Sequence, residues 1–144
     1  MKPETAEWVA KAEADLATAR READVIESAN YDAVCFHSQQ CAEKYLKAIL
    51  VENAVKFSRI HDLEILVNMV MTLNPVIHDV LKFARILSAM AVEVRYPGMI
   101  ADEEDADEAL RSAISIREVS RGILGYEGSG DVEEGIGREV KIAG

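Results

Sequence analysis

The chain has 144 residues, 26 acidic against 16 basic side chains for a formal charge of −10, and a hydrophobic fraction of 49%. A chain of this size buries a core without disulfides or metals, and its composition excludes a disordered polymer. The negative balance also excludes nucleic-acid binding by mean charge, so any RNA or nucleotide contact has to come from a local cationic stripe.

Five helical segments are predicted. In the first, from about Glu4 to Ser28, Trp8, Ala12, Leu16, Ala19, Ala23 and Ile26 recur every three or four residues and draw one apolar stripe. Asn30 breaks or caps the chain there. The second helix, about Asp32 to Glu52, is the most apolar and is expected at the centre of the bundle. The third begins near His61-Asp62, capped by Asp62 or Ser58, with Leu63, Leu66, Val67, Val70 and Leu73 as its stripe. Asn74-Pro75 closes it and opens the fourth, with Asn at N-cap and Pro at N1. That helix continues to Arg95-Tyr96-Pro97-Gly98, where Pro97 and Gly98 stop it. The fifth runs from about Glu103 to Leu124. The acidic run from Asp102 to Glu108 reads as its solvated start, favoured by the helix dipole and lacking the spacing of a calcium loop. Residues 127–144 are glycine-rich, charged and free of aromatics, and are expected as a mobile tail. Residues 1–126 thus form an all-α, antiparallel bundle of four to five helices.

No apolar run of about 18 residues is present, so no membrane span is expected. The start lacks the basic-then-apolar layout of a secretory signal, which places the chain in the cytoplasm. Cys35 and Cys41 stand on one helix about 9 Å apart along its axis. That is beyond the ~7 Å reach of a disulfide, and both are expected as buried thiols. No cofactor and no metal is expected.

On a helical wheel of ~100° per residue, His37, Gln40, Glu43, Lys44 and Lys47 share one polar sector of the second helix, with Phe36 at its N-terminal end. Two readings fit. The sector is a solvated face with Glu43 and Lys47 as an i,i+4 ion pair, or His37, Lys44 and Lys47 form a cationic patch that accepts a phosphate or an acidic partner. If Lys44 and Lys47 accept phosphate, replacing both by Ala should weaken nucleotide or partner binding and leave folding intact, and equal binding by the double variant returns them to the solvated face.

Several stretches together resemble the HEPN domain (higher eukaryotes and prokaryotes nucleotide-binding). They are Trp8 with Asp15-Leu16; Phe36, Gln39, Gln40, Glu43, Lys44 and Lys47-Ala48; His61-Asp62-Leu63; and Arg95-Tyr96-Pro97. The resemblance covers roughly residues 4–125. It implies a dimerising bundle of four or five helices that, in small prokaryotic members, often accompanies a minimal nucleotidyltransferase as a toxin–antitoxin pair. Many members are metal-independent ribonucleases in which an Arg and a His four to six residues later act on the RNA. Here Arg95, beside Tyr96, matches the Arg, but the window for the His reads Ile100-Ala101-Asp102. The chain is therefore expected to be a homodimeric, nucleotide-binding partner of a minimal nucleotidyltransferase without ribonuclease catalysis. One alternative is a ribonuclease toxin that uses His37 or His61 as acid–base. The other is a helical adaptor without a ligand.

Overall fold

Pro3 sits in the first turn of helix α1 (Pro3–Ala23), where its missing N–H costs nothing. The computed structural model describes residues 1–93 and 97–126, and in it α1 ends several residues before Ser28. One contact and one backbone turn explain the early stop. The Glu22 carboxylate accepts the Asn30 N–H at 2.7 Å, drawing the chain back, and Ser28 takes a left-handed φ of 57°. Ile26, the last member of the predicted stripe, is left 96% exposed in the connection.

Asn30 caps α2 (Tyr31–Glu52) as expected, its side chain accepting the Ala33 N–H. Asp62 caps α3 (Leu63–Met71) by accepting from the N–H groups of Glu64 and Ile65. Asn74 caps the next segment too, but Pro75–Val80 winds as a 3-10 turn before α4 (Leu81–Glu93) begins. The acidic run opens α5 (Glu103–Leu124) with a reciprocal cap: Asp102 accepts from the Asp105 N–H and Asp105 from the Asp102 N–H. Gly125, at φ 89°, closes α5 in the left-handed conformation that glycine adopts without strain. The predicted end of the fourth helix at residues 94–96, and the tail at residues 127–144, lie outside the described residues.

Helix α2 is central. Its Leu46, Ile49 and Leu50 are fully buried against Leu63, Leu66, Val67 and Val70 of α3, Leu87 of α4 and Ile116 of α5. On another face its Cys41, Tyr45 and Ala48 meet Val9, Ala12 and Leu16 of α1. Helix α1 runs antiparallel to α2, since Thr5 at its start bonds Glu52 at the end of α2. Helices α2 and α5 run the same way: Asp32 at the start of α2 accepts the Ala101 N–H just before α5, and Arg121 near the end of α5 reaches Tyr45. Helices α1 and α2, neighbours in sequence, thereby alternate direction as the bundle reading requires. Among the described residues there is no strand, and no helix is long and apolar enough to cross a membrane. Both cysteines are buried and unpaired. Burial, aided by Asp105 and Asp32, pushes the Cys35 thiol up to about 11, and burial raises Cys41 further, so both stay protonated and unreactive.

Candidate functional site

The polar sector of α2 is only partly solvated. Helix α1 lies along one edge of it and the α2–α3 connection folds over the other, dividing it into two clusters. In the first, Asp15 of α1 holds two members at once: His37 Nδ1 at 2.8 Å from one carboxylate oxygen and Lys44 Nζ at 2.6 Å from the other. His37 and Lys44 remain partly reachable, at 29% and 23% exposure. The second cluster centres on Glu43, which is 4% exposed. Its carboxylate accepts from Lys47 Nζ at 2.8 Å, His61 Nδ1 at 2.9 Å and Gln39 Nε2 at 3.1 Å, with Gln40 Nε2 at 3.4 Å. Lys47, 5% exposed, lies over the rings of Trp8 and Phe57 at 5.7 and 5.5 Å. Two aromatic faces and one carboxylate thus replace the water that an ammonium would otherwise keep.

Burial alone would raise the Glu43 carboxyl, but the hydrogen bonds from Lys47, His61 and Gln39 prevail and hold it below its ordinary 4.5. An ionised Glu43 fixes the tautomer of His61. Nδ1 carries the proton toward the carboxylate, and Nε2 faces water on a side chain that is 71% exposed.

A second network lies on the opposite edge of α1, and nothing in the sequence reading grouped its members. Glu13 takes a two-pronged bond from Arg117 of α5 at 2.6 and 3.2 Å and a short bond from the Tyr45 hydroxyl. Arg121 donates to Tyr45 at 3.1 Å and stacks 4.0 Å from the ring of Tyr126. Burial pushes the Tyr45 phenol up and would also raise the Glu13 carboxyl. The bonds from Arg117 and Tyr45 outweigh that and hold Glu13 low. This network clamps α1, α2 and α5 together.

Both depressed carboxyls make stability depend on pH with a definite sign. A carboxyl whose folded value lies below its unfolded 4.5 stabilises the fold fully above about 4.5, and the contribution is lost as pH falls through the folded values. The urea midpoint should therefore fall as pH drops below about 4.5, and less steeply in Glu43→Gln. Equal acid slopes for the variant and the parent would remove Glu43 from this role.

Of the catalytic candidates, the two histidines lie among the described residues. His37 and His61 are each tied to a carboxylate. His78 is exposed in the turn before α4, and the 13 residues of α4, about 20 Å at ~1.5 Å per residue, separate it from the chain leading to Arg95. Arg95 and Tyr96 themselves lie outside the described residues. In the window where a histidine would follow, Ile100 is exposed, Ala101 is bonded to Asp32, and Asp102 caps α5.

Compared with known proteins, residues 5–123 match the family model described as HEPN domain. The fold also matches the crystal structure of an archaeal HEPN homologue, with a TM-score of 0.64 and 32% sequence identity, over 85% of this chain and 98% of that one. A comparison with curated proteins finds no match.

Proposed function

This chain belongs to the HEPN domain family, and from that premise we propose that it acts as a homodimeric interaction module, partner to a minimal nucleotidyltransferase, that does not cleave RNA. The observation that carries the reading is the state of the polar sector. Lys44 and Lys47 each face a carboxylate, and His37 and His61 each hand Nδ1 to one. A phosphate arriving at Lys44 and His37 would have to displace Asp15 from both, and one arriving at Lys47 would have to enter the protein. Charges matched in this way brace the fold, so the nucleotide component of the reading rests on the family alone. Partner binding then falls to the surface outside the sector.

A ribonuclease toxin is the second reading, and one observation favours it: His61 keeps Nε2 open to water while a buried carboxylate orients its ring. That pairing is the one by which enzymes set a general base. Against it stands the negative field of the chain, which repels an RNA backbone over distance.

The dimer rests on the family and on apolar side chains left on helix faces, Phe36 at 54% and Ile65 at 48% exposure. Sedimentation of the full chain at tens of micromolar (~10⁻⁵ M, a range that weak dimers already populate) should give a species of twice the chain mass. A single monomeric boundary at that concentration would remove the dimer from the proposal.

A further inference from the structure

The setting of His61 differs from that of the other two histidines. Its side chain is 71% exposed, and its Nδ1 lies 2.9 Å from the carboxylate of Glu43, which is itself buried. His37 has a carboxylate but less access: Asp15 holds its Nδ1, it is 29% exposed, and the ring of Phe36 stands edge-on 5.1 Å away. His78 is exposed but has no carboxylate partner among the described residues. His61 thus turns the lone pair of Nε2 toward water while a fixed anion backs Nδ1. An imidazole in that state is a nucleophile. Attack from Nε2 puts a positive charge on the ring, and the carboxylate that stabilises this charge is already in place. Lys47 on the same carboxylate oxygen and Gln39 on the other hold Glu43 in position.

Charge selects the electrophile. Arg59, two residues before His61, is exposed at a tight turn in which the Ser58 carbonyl accepts the Ile60 N–H at 2.9 Å, and Lys56 is exposed three residues earlier. Neither is in an ion pair among the described residues. The carboxylates of this stretch are engaged: Glu43 with Lys47, Asp62 with the N–H groups that open α3, and Glu64 with Arg85. The α2–α3 connection is therefore locally cationic on a chain of charge −10, and it suits a small anion better than a neutral reagent. Such an ion is repelled far less than an RNA backbone by distant acids, which salt screens beyond about 8 Å.

We propose that His61 Nε2 is a phosphoryl-acceptor site, modified by small donors of the phosphoramidate or acyl phosphate class. The proposal does not depend on the proposed function, since it needs neither a dimer nor RNA. With phosphoramidate, the Nε2 lone pair forms a bond to phosphorus while the P–N bond breaks and its electron pair leaves with ammonia. Nothing is oxidised or reduced. Nδ1 keeps its proton, and the positive ring rests against Glu43.

The test incubates the folded full chain with potassium phosphoramidate and locates the phosphoryl group by mass spectrometry in neutral solution, with phosphorus NMR to assign the ring nitrogen. His61 should react about tenfold faster than His78, as an activated nucleophile does beside a plain one. The product should be the Nε2 isomer, and the preference for His61 should vanish in urea. Glu43→Gln, which keeps the shape and removes the charge, should slow His61 by about tenfold and leave His78 unchanged. Lys56→Ala with Arg59→Ala should slow phosphorylation by about threefold or more, and leave the reaction of His61 with neutral diethyl pyrocarbonate unchanged. Circular dichroism melts establish that each variant is folded, and the comparison of His61 with His78 within the parent needs no variant and decides by itself. Equal rates at the two histidines, an Nδ1 product, or a folded Glu43→Gln that reacts as the parent does overturns the proposal. Equal slowing of both reagents by the double alanine variant overturns the choice of a phosphoryl donor. RNA cleavage by the parent, or a monomeric parent, counts against the proposed function and leaves the phosphorylation result standing.

Discussion

Lys47→Ala should destabilise the protein by about 3 kcal/mol, on the order of 10 °C in Tm for a chain of this size. The reason is what it leaves behind. Glu43 is 4% exposed, is held ionised, and would lose the lysine bonded to it, leaving His61 as its one remaining ionisable cation partner among the described residues. Removing one partner of a buried pair costs far more than the pair contributes, because the survivor stays buried and uncompensated. The aromatic faces of Trp8 and Phe57 lose their cation as well, and the lysine stem that packs between α1 and the α2–α3 connection is gone. Lys44→Ala should cost under about 1 kcal/mol, since its partner Asp15 keeps His37 and both lysine and carboxylate touch water. Urea unfolding at neutral pH separates the two cases. Similar, small losses for both lysines would return the sector to a solvated face.

This contrast refines the sequence reading, which places both lysines on one stripe facing water, a partner or a ligand; its i,i+4 pair of Glu43 and Lys47 is present but buried. The wheel grouped the right residues, because a helix fixes which side chains share a side. It could not say what lies above that side. The covering groups come from far along the chain: Asp15 stands 29 residues before Lys44, and His61 stands 18 after Glu43. No local pattern announces such pairings. Glu13 and Arg117, 104 residues apart, are the extreme case. In the sequence Glu13 is one more acid on the polar side of α1, and Tyr45 passes as an apolar core residue although its hydroxyl ties Glu13 to Arg121.

What was legible was local. Asn30, Asp62 and Asn74-Pro75 marked helix starts because their side chains accept the first free N–H groups, and all three do so here. Leu63, Leu66, Val67 and Val70 of the α3 stripe face the core as their spacing requires, while Leu73, two residues past the helix, is 39% exposed. The first helix was read too long because Ile26 continued the stripe, while the contact that ends α1, from Glu22 to Asn30, bridges 8 residues and leaves no mark in the periodicity.

RNA cleavage is where the proposed function and its rival differ most. A ribonuclease lacking its general acid–base loses on the order of 10²–10⁴ in rate. In this chain the expected position of that group is occupied by Ala101, bonded to Asp32, and by Asp102, which caps α5. Restoring the function through His61 would need RNA to approach a surface with a net charge of −10 behind it. Restoring it through His37 would need Asp15 to release a ring that it shares with Lys44. The measurement is the incubation of a fluorescent single-stranded RNA with the purified full chain in EDTA, beside Arg95→Ala, His37→Ala and His61→Ala. The account predicts no cleavage above the protein-free blank for the parent or any variant. Robust cleavage by the parent that disappears in Arg95→Ala or His61→Ala would contradict it and make the chain a ribonuclease.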